Sequence, residues 1–157
     1  MPEISNRTIC SLTEINSLKT YLSKTPVCWL VKVIDQGAKV SKGEIVSLSQ
    51  IGELRTIWGE LDGIYKNGMN DSEKFLVKEV MKVLRDPWCH DTHRLTLIEK
   101  YKRLLASDEL ELIITLFEKE ENIVICDGNS RAVACFEYGL ETGQSNLSLP
   151  VYAITRT

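Results

Sequence analysis

A chain of 157 residues with 43% hydrophobic and 26% charged side chains has ordinary globular composition. That length predicts one domain that buries roughly 70% of the surface its unfolded form exposes. The net charge of −3 gives no fold-wide attraction for nucleic acid or an anionic membrane, which argues against a dedicated DNA-binding module.

The N-terminal residues MPEISNRTICSLTEINSLK hold no apolar core of signal-peptide length, and the longest apolar run is Val27 to Val31. Neither export nor membrane spanning is expected, and a cytoplasmic protein is. The five cysteines are odd in number and form no C-x-x-C pair, the pattern of reduced, mainly packed thiols.

In chain order, Thr13 precedes a short amphipathic helix with apolar residues at 15, 18, 21 and 22, which Thr25-Pro26 ends. Val27 to Ile34, VCWLVKVI, predicts a strand buried on both faces. Asp35-Gln36-Gly37 turns the chain, and Lys39-Val40 and Glu44-Ile45-Val46 are expected as short extended pieces around a Ser41-Lys42-Gly43 turn. Ile51, Leu54, Trp58, Leu61 and Tyr65 then step along one helix face, with Asn67-Gly68 as its C-cap. Asn70-Asp71-Ser72 offers caps for the helix SEKFLVKEVMKVLRD, stopped by Asp86-Pro87, and RLTLIEKYKRLLA predicts another.

The period returns towards two at Leu110 to Phe117 and Ile123 to Cys126, which flank a polar turn and predict a β-hairpin. Ala132, Val133, Cys135, Phe136 and Leu140 suit a helix ending near Gly139 or Gly143, and Leu149 to Ile154 predicts a last strand. With no internal repeat or linker, the whole chain, 1–157, reads as one α/β domain: a small mixed sheet with flanking helices.

The junction Asp127-Gly128-Asn129-Ser130-Arg131 holds the strongest chemical signal. Gly128 can take positive φ, so the chain can leave the strand sharply. Asn129 or Ser130 can cap the new helix, whose first amides and positive dipole end suit an anion. Arg131 lies in the first turn, where a cation opposes the dipole unless an anion is near. A strand, an Asp-Gly turn, an Asn or Ser cap and an arginine paired with a neighbouring Glu would read the same way.

Hairpin, D-G-N-x-R, an alanine-rich helix ending in glycine, and L-P-V-x-x-I together resemble the core of the ParB/sulfiredoxin superfamily over about residues 95 to 155. Residues 1–94 would then be an N-terminal extension, with 27 to 34 supplying the remaining sheet edge. The resemblance implies a G-x-x-R turn that binds nucleotide phosphate. Gly128 would be the turn glycine, Asn129 and Ser130 would present amides, Arg131 would clamp phosphate and Asp127 would stand beside the site.

The departures are specific. Sulfiredoxins have a catalytic cysteine directly after the glycine, where this chain has Asn129, so sulfinic acid reduction is not expected. The partitioning proteins read G-E-R-R-x-R-A, of which G-N-S-R-A keeps one arginine. Many relatives have histidine where Ser130 stands. Partitioning proteins also continue into further domains, so a chain ending at Thr157 is not expected to be a complete one.

Elsewhere, Trp88-Cys89-His90-Asp91-Thr92-His93 contains both histidines. Cys89 and His93 have zinc-ligand spacing, but no second pair accompanies them and no metal site is predicted. The simplest account is a helix start capped by Asp91 or Thr92 with Trp88 in the core; the sharper one puts His90 or His93 at the mouth of a nucleotide cleft. Cys126 and Cys135 read as packed rather than reactive, and no P-loop, dinucleotide or hydrolase motif is present.

The leading expectation is a nucleotide- or phosphate-binding protein. Gly128, Asn129, Ser130 and Arg131 would hold phosphate, and Asp127 and Arg131 would serve triphosphate hydrolysis or phosphoryl transfer, with Mg2+ accompanying the nucleotide. The alternative is a non-catalytic bacterial or phage accessory or anti-defence protein acting through a protein partner. A nuclease is a third reading, weakened by the acidic charge and scarce histidines.

Overall fold

Alternation along four of the five strands fixes two apolar faces, and each face is covered by helices. The computed structural model describes residues 2–58, 75–87, 89–108, 113–120 and 122–156. Its strands are β1 (Ser5–Ile9), β2 (Lys39–Ile45), β3 (Ile114–Lys119), β4 (Asn122–Asp127) and β5 (Leu149–Arg156). They lie in the order β1-β2-β5-β3-β4, antiparallel except for the parallel pair β3–β5. The helices among the described residues are α1 (Leu12–Leu22), α2 (Trp29–Asp35), α3 (Leu48–Gly52), α4 (Val77–Leu84), α5 (Thr92–Ala106) and α6 (Asn129–Thr142). The chain is thus a mixed α/β fold on an open five-stranded sheet.

Ile45, Ile114, Leu116, Ile125, Leu149 and Val151 face α3 to α6, whereas Val40, Phe117, Cys126, Tyr152 and Ile154 face α1 and α2. These sets alternate along each strand, as the pleat requires. Ala132 to Phe136 of α6 are all buried, because α3, α4, α5 and the sheet surround that helix. No helix among the described residues is long and apolar enough to cross a membrane.

Several expectations are corrected. Residues 27 to 34 form no strand and give the sheet no edge; they enter α2 through turns in which Leu30 N–H donates to the Val27 carbonyl. The buried residues Val27, Leu30 and Ile34 are spaced by three and four, and they pack with Leu18 and Leu22 of α1. A short apolar run has no periodicity of its own to separate strand from helix.

Ser41-Lys42-Gly43 makes no turn either. β2 runs straight through it, paired from Lys39–Thr155 to Ile45–Leu149. Gly43 is needed for close approach rather than for bending: a Cβ there would lie 2.5 Å from Ile4 Cγ2 and 2.7 Å from the Ser5 carbonyl oxygen.

β1 was not expected, because SNRTI shows no buried alternation. It is an edge strand, irregular in register and kinked at Asn6 with φ of 55°. At the opposite edge, Ile125 N–H donates to the Arg55 carbonyl at 2.8 Å, so the segment after α3 covers part of β4.

Among the described residues the helix expected from Ile51 towards Tyr65 is realised only as α3, and residues 53–58 run without helix. Leu61, Tyr65, Asn67-Gly68, Asn70-Asp71-Ser72 and Trp88 lie outside the described residues. α5, α6 and β5 form where expected, and α6 ends at Gly143, which is left-handed at φ 69°; the hairpin also forms, but its strands take in Glu118, Lys119 and Asn122 from the expected turn, and residues 110–112 lie outside the described residues.

A charged network ties the outer helices to α6. Glu137 is buried and accepts from Arg85 Nε at 2.8 Å and from Lys102 Nζ at 2.8 Å; Lys102 also reaches Glu141 at 2.6 Å. Burial raises the Glu137 carboxyl, but the hydrogen bonds from Arg85 and Lys102 outweigh it and hold the group below its usual 4.5. A depressed carboxyl stabilises the fold above its unfolded pKa, and that contribution disappears as pH falls through the folded value.

Glu137→Gln is therefore expected to cost at least about 2 kcal/mol at neutral pH, a breached buried pair discounted for the partial exposure of Arg85. The gap to wild type should shrink below the usual carboxyl range. Urea unfolding at neutral and acid pH measures both, and a gap that does not change with pH would contradict the account.

Candidate functional site at the start of α6

The site begins with a bulge. β4 carries one extra residue between the pairs Thr115–Asp127 and Leu116–Ile125. A bulge re-aims side chains, and here Cys126 packs on the α1–α2 side while Asp127 reaches α1 as well. Gly128 then turns the chain into α6 at φ 95°. An added Cβ would lie 2.6 Å from Ile114 Cγ2, so both conformation and space require glycine.

Gly128 itself is the N-cap of α6, not Asn129 or Ser130 as expected, and no side chain caps the helix. Asn129 is buried and turns its Oδ1 back to accept from Ile57 N–H at 3.3 Å, while its Nδ2 has no partner among the described residues. The first paired amide is that of Ala132, which donates to the Gly128 carbonyl. Among the described residues, the backbone N–H groups of Asn129, Ser130 and Arg131 have no partner, which leaves the positive end of a 14-residue helix open.

Arg131 finds its anion within the chain. Its NH2 lies 2.8 Å from Asp127 Oδ2 and its NH1 donates to the Ile113 carbonyl at 2.7 Å. The Tyr21 hydroxyl donates to the same Asp127 oxygen at 2.7 Å. Burial lowers the arginine's pKa, but Asp127 and Tyr21 outweigh it and keep the guanidinium firmly charged. Burial, then the bond to Asp127, pushes the Tyr21 phenol up. The cation that stood out in the sequence is half of an internal pair. Because aspartate and arginine cancel, the helix dipole, about half an elementary charge, remains the net field at the turn.

Two cavities meet at this pair. One, of 430 Å³, opens over Gly128, Asn129 and Ser130, with Trp58 and Tyr101 in its wall. The Arg94 guanidinium lies 4.7 Å from the Trp58 ring centroid, which braces that wall. The other, of 280 Å³, lies between α1 and the sheet beside Tyr21, Thr115 and Tyr152. Thr115 is only 2% exposed, and its hydroxyl has no partner among the described residues.

The structure brings Asp127 to Arg131 together as one turn. It does not bring the histidines there: His90 and His93 are exposed, at and just before the start of α5, and line neither cavity. Asp91 caps α5 by accepting from Arg94 N–H.

Burial pushes the thiols of Cys126 and Cys135 up to about 11 and about 12, so both stay protonated at neutral pH. No group of three or more His, Cys, Asp or Glu side chains converges on a metal position among the described residues. Tyr21, Trp58, Tyr101 and Thr115 escaped the sequence reading. Only Thr115 carried a signal, a hydroxyl inside the apolar run LELIITLF; the aromatics looked like core.

Gly128→Ala is expected to lower stability by at least about 2 kcal/mol, from positive φ and the Ile114 contact, in denaturant unfolding. Thr115→Val should leave stability equal to or above wild type, because a buried hydroxyl without a protein partner is lost at no cost. A loss beyond about 1 kcal/mol would show that the hydroxyl is satisfied. Compared with protein-family models, curated proteins and solved structures, the chain matches none.

Proposed function

We propose that the start of α6 binds the phosphate of a small phosphorylated ligand, with a nucleotide as the preferred class. The observation that carries this reading is the trio of open amides at Asn129, Ser130 and Arg131, facing a cavity rather than a capping side chain. Such amides and the helix dipole select anions. The cavity's 430 Å³ is within the range of small-molecule sites, and Trp58, Tyr101, Pro26 and Val27 offer ring-stacking and apolar surface for a base. The ParB/sulfiredoxin-like assignment belongs to this reading, supported by the hairpin, the glycine turn, α6 and the return to β5 beside β3.

Binding is better supported than turnover. Hydrolysis or phosphoryl transfer requires Arg131 to exchange Asp127 for a phosphate oxygen, and Asp127 to turn to water or metal. Asp127 is the one carboxylate among the described residues lining this cavity, so Mg2+ would ride mainly on the ligand's phosphates.

Removing Arg131 is a poor test, since it takes the counter-charge from Asp127 and a donor from the Ile113 carbonyl. Ser130→Asp is a better one: it puts a carboxylate where the phosphate would sit and suits the dipole. The variant should unfold at slightly higher denaturant, by about 0.5 kcal/mol. In calorimetric titration with inorganic phosphate, ATP, GTP, CTP and their monophosphates, it should bind at least about tenfold more weakly than wild type. Wild type that binds none of these at millimolar concentration would refute the phosphate reading.

The partner-binding alternative has its own observation. Ile9 and Leu12, adjacent at the β1–α1 junction, are 71% and 73% exposed. A complex that survives Ser130→Asp and is lost in Ile9→Lys with Leu12→Lys would favour it.

A further inference from the structure

We propose that the 280 Å³ cavity between α1 and the sheet is a second ligand site, separate from the phosphate site, for a neutral polyhydroxylated group such as a sugar ring or cyclitol. Its volume corresponds to about nine waters, enough for one small ring. Three observations converge on that chemistry.

The first is Thr115. Its hydroxyl is almost fully buried, lines the cavity and lacks a partner among the described residues. Buried polar groups are as a rule hydrogen-bonded, so an exception aimed at a cavity points to a ligand. The second is the division of labour within the Asp127 carboxylate. Oδ2 already accepts from Tyr21 and Arg131, whereas Oδ1 accepts from no described residue and remains for a ligand donor. The third is charge. Asp127 and Arg131 neutralise each other at the cavity wall, so neither a carboxylate nor an ammonium ligand finds a net opposite charge there.

A ligand that fits must donate to Asp127 Oδ1 and exchange hydrogen bonds with Thr115 and the exposed Ser17 hydroxyl. It must also bring no net charge, and it can lay its C–H face on the Tyr21 or Tyr152 ring. Vicinal hydroxyl groups on a small ring do all of this. A purely apolar ligand would leave both Thr115 and Asp127 Oδ1 unmet.

The test is an amide chemical-shift titration of the full chain with D-ribose, D-glucose and myo-inositol, alongside acetate and methylammonium. At least one polyol should shift the resonances of Thr115, Tyr21 and Asp127 at millimolar concentration. Thr115→Val should weaken that polyol at least about tenfold, Thr115→Ser should retain it, and Ser130→Asp should leave it unchanged. The proposal is overturned if no polyol shifts these residues, if Thr115→Val binds as wild type does, or if a charged probe binds there and the polyols do not. Loss of phosphate binding in Ser130→Asp bears on the other site alone, so the two readings fail separately.

Discussion

The burial of α6 is the constraint on which most of the structure rests. A helix enclosed by α3, α4, α5 and the sheet has little polar surface to spare, so its one buried carboxylate, Glu137, must be matched by Arg85 and Lys102. The same enclosure fixes where the helix starts. Its first turn is held against the end of β4 by the tight Gly128 connection, and Asn129 pins it to the segment before Trp58. The open amides are therefore held by packing rather than by any capping bond of their own.

The bulge in β4 sets what surrounds those amides. Without the extra residue, simple alternation would put Asp127 on the face of Ile125. With it, Asp127 meets Tyr21 and Arg131 on the α1 side, and a charge pair stands between two cavities of different character. One side offers backbone donors and aromatic rings; the other offers a buried hydroxyl and a half-used carboxylate. A single backbone irregularity thus separates open helix amides on one side from a wall without net charge on the other.

Much of this was legible in the sequence, for identifiable reasons. The second half of the chain is locally explicit: a hairpin with a short polar tip, a glycine with no other conformational role, and an alanine-rich helix ending at Gly143. The first half is less so. VCWLVKVI is apolar enough to be buried in either conformation, and only its contacts with α1 decide for helix. SNRTI gives no sign of a strand, because an edge strand with exposed side chains need not alternate. At the site, Arg131 looked like an unmatched cation because the sequence shows neither the bulge nor the Tyr21 contact from a helix more than 100 residues away. The cap falls on Gly128 rather than Asn129 or Ser130 for a related reason: the Asn129 side chain is used across the fold, not along the helix.

The two margins of the sheet are closed in different ways. On one side the backbone at Arg55 occupies part of β4. On the other, β1 is five residues long and kinked at Asn6, with Arg7 held by Glu118. Neither margin presents a long, straight row of donors and acceptors, which is what a foreign strand needs in order to add itself. Edge-to-edge addition of a second folded copy is consequently disfavoured at both margins.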